Sequence, residues 1–152
     1  MFGRHGVFTP DEMHSRYEIL LEKYIKNVKI EALTAVDMIN QEIVPACQKF
    51  MLQLTQLIAG KQTIGVDISL ESERLNTVRQ LTVELDKQCK RLTGCIESPV
   101  IDSRDSLEVA KFCRNEILTA MADARSAADK LELMVSKEFW PFPTYDELLF
   151  NI

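Results

Sequence analysis

The sequence predicts an all-α protein: an antiparallel bundle of three long helices plus a leading helix, with an extended Trp/Pro-rich C-terminal tail and a short terminal turn. Three observations carry this. Apolar residues recur at spacings of three and four along most of the 152 residues, with no strand-like alternation of useful length. Gly and Pro number only 5 each, sparse for an all-β fold with many turns. Helix-capping residues stand where the periodic runs begin. Long helices joined by short loops pack as antiparallel neighbours.

The first helix should start at Pro10. Thr9 and Glu12 have capping-box spacing, and Pro at the first helical position loses no bond. Phe8 and Met13 have the spacing of a hydrophobic staple. Met13, Tyr17, Leu20, Leu21, Tyr24 and Val28 mark one face. The pattern loosens over Asn27–Ile30, so this leading helix either ends or runs on there. A second run follows through Leu33, Val36, Ile39, Ile43, Ala46, Phe50, Leu54 and Leu57, ending at Gly60 as a C′ residue. Pro45 lies inside it and predicts a kink, since its ring crowds the carbonyl of Gln41.

Residues 60–69 read as a loop, with Ser69 or Asp67 capping the next helix. Leu75, Val78, Thr82, Leu85, Cys89, Leu92 and Ile96 form its stripe, and Glu97-Ser98-Pro99 ends it. The last long helix is capped by Ser103 or Asp102. Leu107, Ala110, Arg114, Ile117, Met121, Ala124, Ala128, Leu131 and Val135 define a seam broken only by Arg114. The alanines would let a neighbouring helix approach closely. Trp140-Pro141-Phe142-Pro143 cannot continue the helix. Thr144 and Glu147 repeat the capping-box spacing ahead of Leu148, Leu149 and Phe150.

The length fits one domain, residues 1–152. A net charge of −5 argues against nucleic acid as the main partner. No apolar run is long enough to span a membrane, and the N-terminus lacks the apolar stretch of a signal peptide. A cytoplasmic, reducing setting is therefore expected. Cys47, Cys89, Cys95 and Cys113 form no C-x-x-C pair and read as small, reduced, buried hydrophobes.

No catalytic constellation is legible. There is no Glu-x-x-His pair for a di-iron bundle, no P-loop and no nucleophile elbow. His5 and His14 have no histidine at metal-ligand spacing. Glu71, Glu73 and Glu84 read as a solvated face, as does the basic cluster Lys87, Lys90 and Arg91. The tail differs in kind: Trp140, Phe142, Tyr145, Leu148, Leu149 and Phe150 crowd large apolar groups into a short segment. Such a segment must fold back on the bundle or dock on a neighbouring domain or subunit. These six are the candidate interface residues.

The ending Trp140-Pro141-Phe142-Pro143-Thr144-Tyr145, followed by Leu148-Leu149-Phe150, resembles the C-terminus of type III glutamine synthetases. Ser15-Arg16-Tyr17-Glu18, Ile30-Glu31-Ala32-Leu33-Thr34, Asp37-Met38 and Ile43-Val44-Pro45-Ala46 are similar to that family. So are Met121, Arg125, Asp129, Leu131 and Glu132. Thr119 departs from it, where the family is expected to carry proline, which puts a local helix bend in question. The resemblance implies a parent ligase making glutamine from glutamate, ammonia and ATP, with Mg or Mn. It also implies a ring-shaped homo-oligomer whose upstream catalytic region holds every catalytic, nucleotide and metal residue. For this chain it implies a non-catalytic assembly module without a cofactor of its own. A regulatory bundle binding a small effector, suggested by Arg114 on the apolar seam, or a free-standing helical adaptor, are the alternatives.

Overall fold

The structure, a computed structural model, describes residues 9–143 and 148–149. Among the described residues every regular element is helical, as the sequence predicts. Phe8, Thr144–Glu147 and Phe150 lie outside them, and with them the staple, the second capping box and part of the terminal turn.

Helix α1 runs over Pro10–Met38. Its capping box forms: the Glu12 N–H donates to Thr9 Oγ1 at 3.3 Å, and the Thr9 N–H donates to Glu12 Oε2 at 2.8 Å. The helix does not break at Asn27–Ile30, so the leading helix and the first long helix are one. The loosening in the sequence has a packing cause. Val28 and Ala32 are buried there, and the small Ala32 lets its neighbours come close. Upstream, the expected apolar face of Met13, Tyr17 and Leu20 is exposed rather than buried.

A π turn, Ile39–Ile43, links α1 to α2, Val44–Thr63. This is the form that the disturbance at Pro45 takes. Proline cannot donate to the Gln41 carbonyl, and the wider turn hands the Val44 N–H to the carbonyl of Ile39 instead. Gly60 does not end α2. The helix continues to Thr63, and Gly65, at φ 70°, takes the C′ role. Val66 N–H bonds to the Lys61 carbonyl at 3.0 Å and Gly65 N–H to that of Gln62 at 3.2 Å, a Schellman pair.

Helix α3 spans Ser69–Ile96. Its N-cap is Ile68, not Ser69 or Asp67. The Asp67 carboxylate is engaged by the Ser69 N–H and hydroxyl, at 3.3 and 2.5 Å. A short 3-10 turn, Pro99–Asp102, leads to α4, Ser106–Phe112. Asp105 caps α4, accepting from Leu107 N–H at 2.9 Å and Glu108 N–H at 3.1 Å. Asp102 is taken up in the 3-10 turn, and the Ser103 hydroxyl donates to Glu108 instead of capping. A second π turn, Cys113–Ile117, joins α4 to α5, Leu118–Met134.

Helix α3 packs against both α2 and α5. Arg74 near its start donates to the Met134 carbonyl at 3.2 Å, and Arg91 near its end meets Asp123 at 2.8 Å, so α3 and α5 run in opposite directions. Two apolar clusters fill the interior. One gathers Ile43, Phe50, Val78, Leu85 and Leu131; the other gathers Val28, Leu92, Val109, Cys113 and Ile117. Ala120, Ala124 and Ala127 are buried along α5, where their small side chains bring α3 close.

Arg114 is exposed, not on the seam. Two phases of a three–four repeat fit this stretch, sharing Ala110, Ile117, Ala124 and Leu131. The molecule uses the phase through Cys113, Ala120 and Ala127. That phase buries a thiol where the other would bury an unpaired guanidinium, a far costlier group to desolvate.

Candidate functional site

The candidate site is the C-terminal tail and the bundle surface that receives it. Helix α5 ends at Met134, and the chain turns at once: Phe139 N–H and Trp140 N–H both bond to the Ser136 carbonyl, at 2.9 and 3.1 Å. The flanking prolines keep the following residues out of a helix. Phe139 packs on Phe50 of α2, ring centroids 6.0 Å apart at 50°. The Arg74 guanidinium lies 5.9 Å from the Phe50 ring centroid while it holds the last carbonyl of α5. One cation thus serves a helix C-terminus and an aromatic face together.

Trp140 and Phe142 meet edge to face, 6.3 Å between centroids at 78°. Both are half-buried against the larger apolar cluster. With Ala35, Ile39, Met121 and Ala128 they line an open groove of about 580 Å³. Arg125, Asp129 and Glu132 also line it, Arg125 and Asp129 paired at 3.8 Å. Leu148 lines the same groove yet remains 65% exposed, and Leu149 is 69% exposed.

Of the six predicted residues, the structure brings Trp140, Phe142 and Leu148 to one groove and leaves Leu149 exposed. Tyr145 and Phe150 lie outside the described residues. Sequence reasoning missed Phe139 and Arg74. Phe139 adjoins Trp140 and could have been counted with the tail's apolar group. No local pattern marks Arg74, whose two contacts come from α2 and α5.

Two charged groups depart from the solvated faces expected of them. Glu71 is only 8% exposed and accepts from Lys61 Nζ at 2.6 Å, clasping the end of α2 to the start of α3. That hydrogen bond holds its carboxyl below the ordinary 4.5. Arg91 bridges α3 to Asp123 at 2.8 Å and Glu116 at 3.9 Å. Lys87 and Lys90 do lie on a solvated face, neutralised by Glu84 and Asp86.

Cys47, Cys89 and Cys113 are buried and Cys95 half-buried, all as free thiols. Burial raises the pKa of each. Among the described residues no three His, Cys, Asp or Glu side chains gather to hold a metal ion. No described helix is long and apolar enough to cross a membrane.

The comparisons agree with the resemblance read from the sequence. Residues 1–62 match the family model described as the glutamine synthetase C-terminal domain. The whole chain is 31% identical, over 154 residues, to a glutamine synthetase of Butyrivibrio fibrisolvens, covering 22% of that protein. It is 28% identical over 157 residues to the type-3 glutamine synthetase of Dictyostelium discoideum, with 99% of this chain and 21% of that protein covered. A glutamine synthetase of Bacteroides fragilis is 27% identical over 155 residues, with 95% and 21% covered. The chain thus resembles the C-terminal helical domain of type III glutamine synthetase and spans about a fifth of the length of these relatives. No solved structure matches it.

Proposed function

We propose that this chain is a non-catalytic structural and assembly module of a type III glutamine synthetase. Residues 1–152 act as one helical domain, an antiparallel bundle of three long helices whose leading helix has merged with the first, plus the Trp/Pro-rich tail. The parent makes glutamine from glutamate, ammonia and ATP in the cytoplasm. ATP and Mg or Mn are held by an upstream catalytic domain, and no residue of this chain is assigned to them. The partners are that domain and neighbouring subunits of a ring-shaped homo-oligomer; nucleic acid and membranes are not among them.

The observation that carries this is the two-part tail. Phe139, Trp140 and Phe142 anchor it on the bundle, while Leu148 and Leu149 remain largely exposed. Adjacent exposed leucines beside an aromatic groove form an apolar patch of the kind that marks an interface. The test is Leu148→Asp with Leu149→Asp in the full-length enzyme, read by light scattering. A smaller assembly is expected; an unchanged oligomer with unchanged activity would contradict the proposal.

The groove supports a second reading, a regulatory effector site. Its volume of about 580 Å³ lies in the range of small-molecule pockets. Arg114, the residue that first suggested such a site, is not among the residues that line it. Trp140 is the only tryptophan and lines the groove, so its fluorescence reports occupancy. A saturable change on adding glutamine or ATP would favour this reading, and a flat titration would remove it.

A further inference from the structure

We propose that the first half of α1 is a docking surface for the polypeptide of the longer protein that lies outside this chain. The inference rests on the reading above, that the chain is part of a larger synthetase, and adds a second contact far from the tail. Residues 10–20 are all exposed, and Val28 is the first buried residue of α1. At 1.5 Å per residue this exposed segment is about 15 Å long. Three turns of helix gain little from their own hydrogen bonds in water and draw stability from packing. Here the capping box fixes the start at Pro10, yet nothing among the described residues covers the apolar side.

That side has a definite pattern. Met13, Tyr17, Leu20, Tyr24 and Val28 follow spacings of four, three, four and four, which places them on one stripe. Met13 is 44%, Tyr17 49% and Leu20 65% exposed, whereas Tyr24 is half-buried and Val28 is buried. A single seam therefore enters the bundle core at Val28 and continues outward with no cover among the described residues. The family model matches residues 1–62, the α1–α2 arm, and about four-fifths of the Butyrivibrio relative lies beyond this chain. That missing polypeptide is large enough to supply the cover.

Charge narrows what fits. By helical position Lys23 flanks one edge of the stripe, and His14 and Glu18, 3.5 Å apart, stand on the other side. The complementary surface is an apolar ridge with a carboxylate opposite Lys23. A second copy of α1 laid antiparallel would set the two Lys23 edges on the same side, so self-pairing in that sense is disfavoured.

The test uses the polypeptide as purified from its source cells, or its full-length recombinant equivalent. Single cysteines replace Leu20 and, as a reference, Leu133, which is 85% exposed. Maleimide labelling at L20C is expected to be at least about tenfold slower than at L133C, as for a group protected by packing. Amide exchange of residues 13–24 in the unmodified protein gives the same readout without a substitution. Equal labelling rates and fast exchange in a full-length protein would overturn this docking surface while leaving the assembly proposal standing. Protection that vanishes on dilution would assign the stripe to a second copy and overturn it too. A native polypeptide no longer than this chain would remove both readings.

Discussion

Thr119 shows how a side chain can replace the logic of a missing proline. Its hydroxyl donates to the Asn115 carbonyl at 2.7 Å, the acceptor that a proline at this position would leave without its N–H. The π turn Cys113–Ile117 stands two residues before Thr119, just as Ile39–Ile43 stands two before Pro45. The widened turn is thus present with or without proline. Thr119→Pro is expected to cost less than about 1 kcal/mol, against about 3 kcal/mol or more for Thr82→Pro in the regular interior of α3. Urea melts of the two variants decide it. The thiols give a second expectation. Half-buried Cys95 should react first with a thiol reagent, while Cys47, Cys89 and Cys113 react only as the fold opens. Three fast thiols would contradict the packing described. Burial of Cys47, Cys89 and Cys113 was legible from their apolar positions, while Cys95, expected to be buried with them, is only half-buried. The exposure of Arg114 was not, because two phases of the same repeat fit the stretch and only the cost of an unpaired buried charge separates them.

Element ends were the least legible scale. Pro10 and Pro99 punctuate the chain by removing donors, and both boundaries stand where the sequence put them. Gly60 misled because glycine is tolerated inside a helix at a cost of about 1 kcal/mol. Gly65 ends α2 because it adopts the left-handed conformation that a C′ residue requires. The α2–α3 hairpin is then clasped by Lys61 and Glu71, a pair ten residues apart that no helical period connects. The Glu71 pKa is lowered in the folded state, so its contribution is present above the ordinary 4.5 and is lost as pH falls through the folded value. Lys61→Ala should therefore lower the thermal midpoint at neutral pH and flatten the decline in acid below that ordinary value. Identical acid limbs for variant and wild type would contradict the clasp.

At the scale of the molecule, helical class and the α3 stripe were read correctly because a long three–four repeat has few other ways to bury its apolar side. Val78, Leu85, Cys89 and Leu92 of that stripe are all buried. Leu85→Ala should cost about 2–5 kcal/mol by leaving a cavity between α3 and its neighbours. Leu133→Ala, on the exposed face of α5, should change stability by no more than about 0.5 kcal/mol. Where the tail sits was not legible, since folding back and docking outward demand the same apolar composition. The structure divides it between an anchored aromatic half and two exposed leucines. Whether those leucines meet other subunits depends first on whether this chain is part of a longer synthetase. An immunoblot of the source cells against this domain answers that question. A band at four to five times 17.4 kDa is expected, since the chain spans 22% of the Butyrivibrio relative. A single band at 17.4 kDa would mean a free-standing helical protein and would contradict its assignment as a synthetase module.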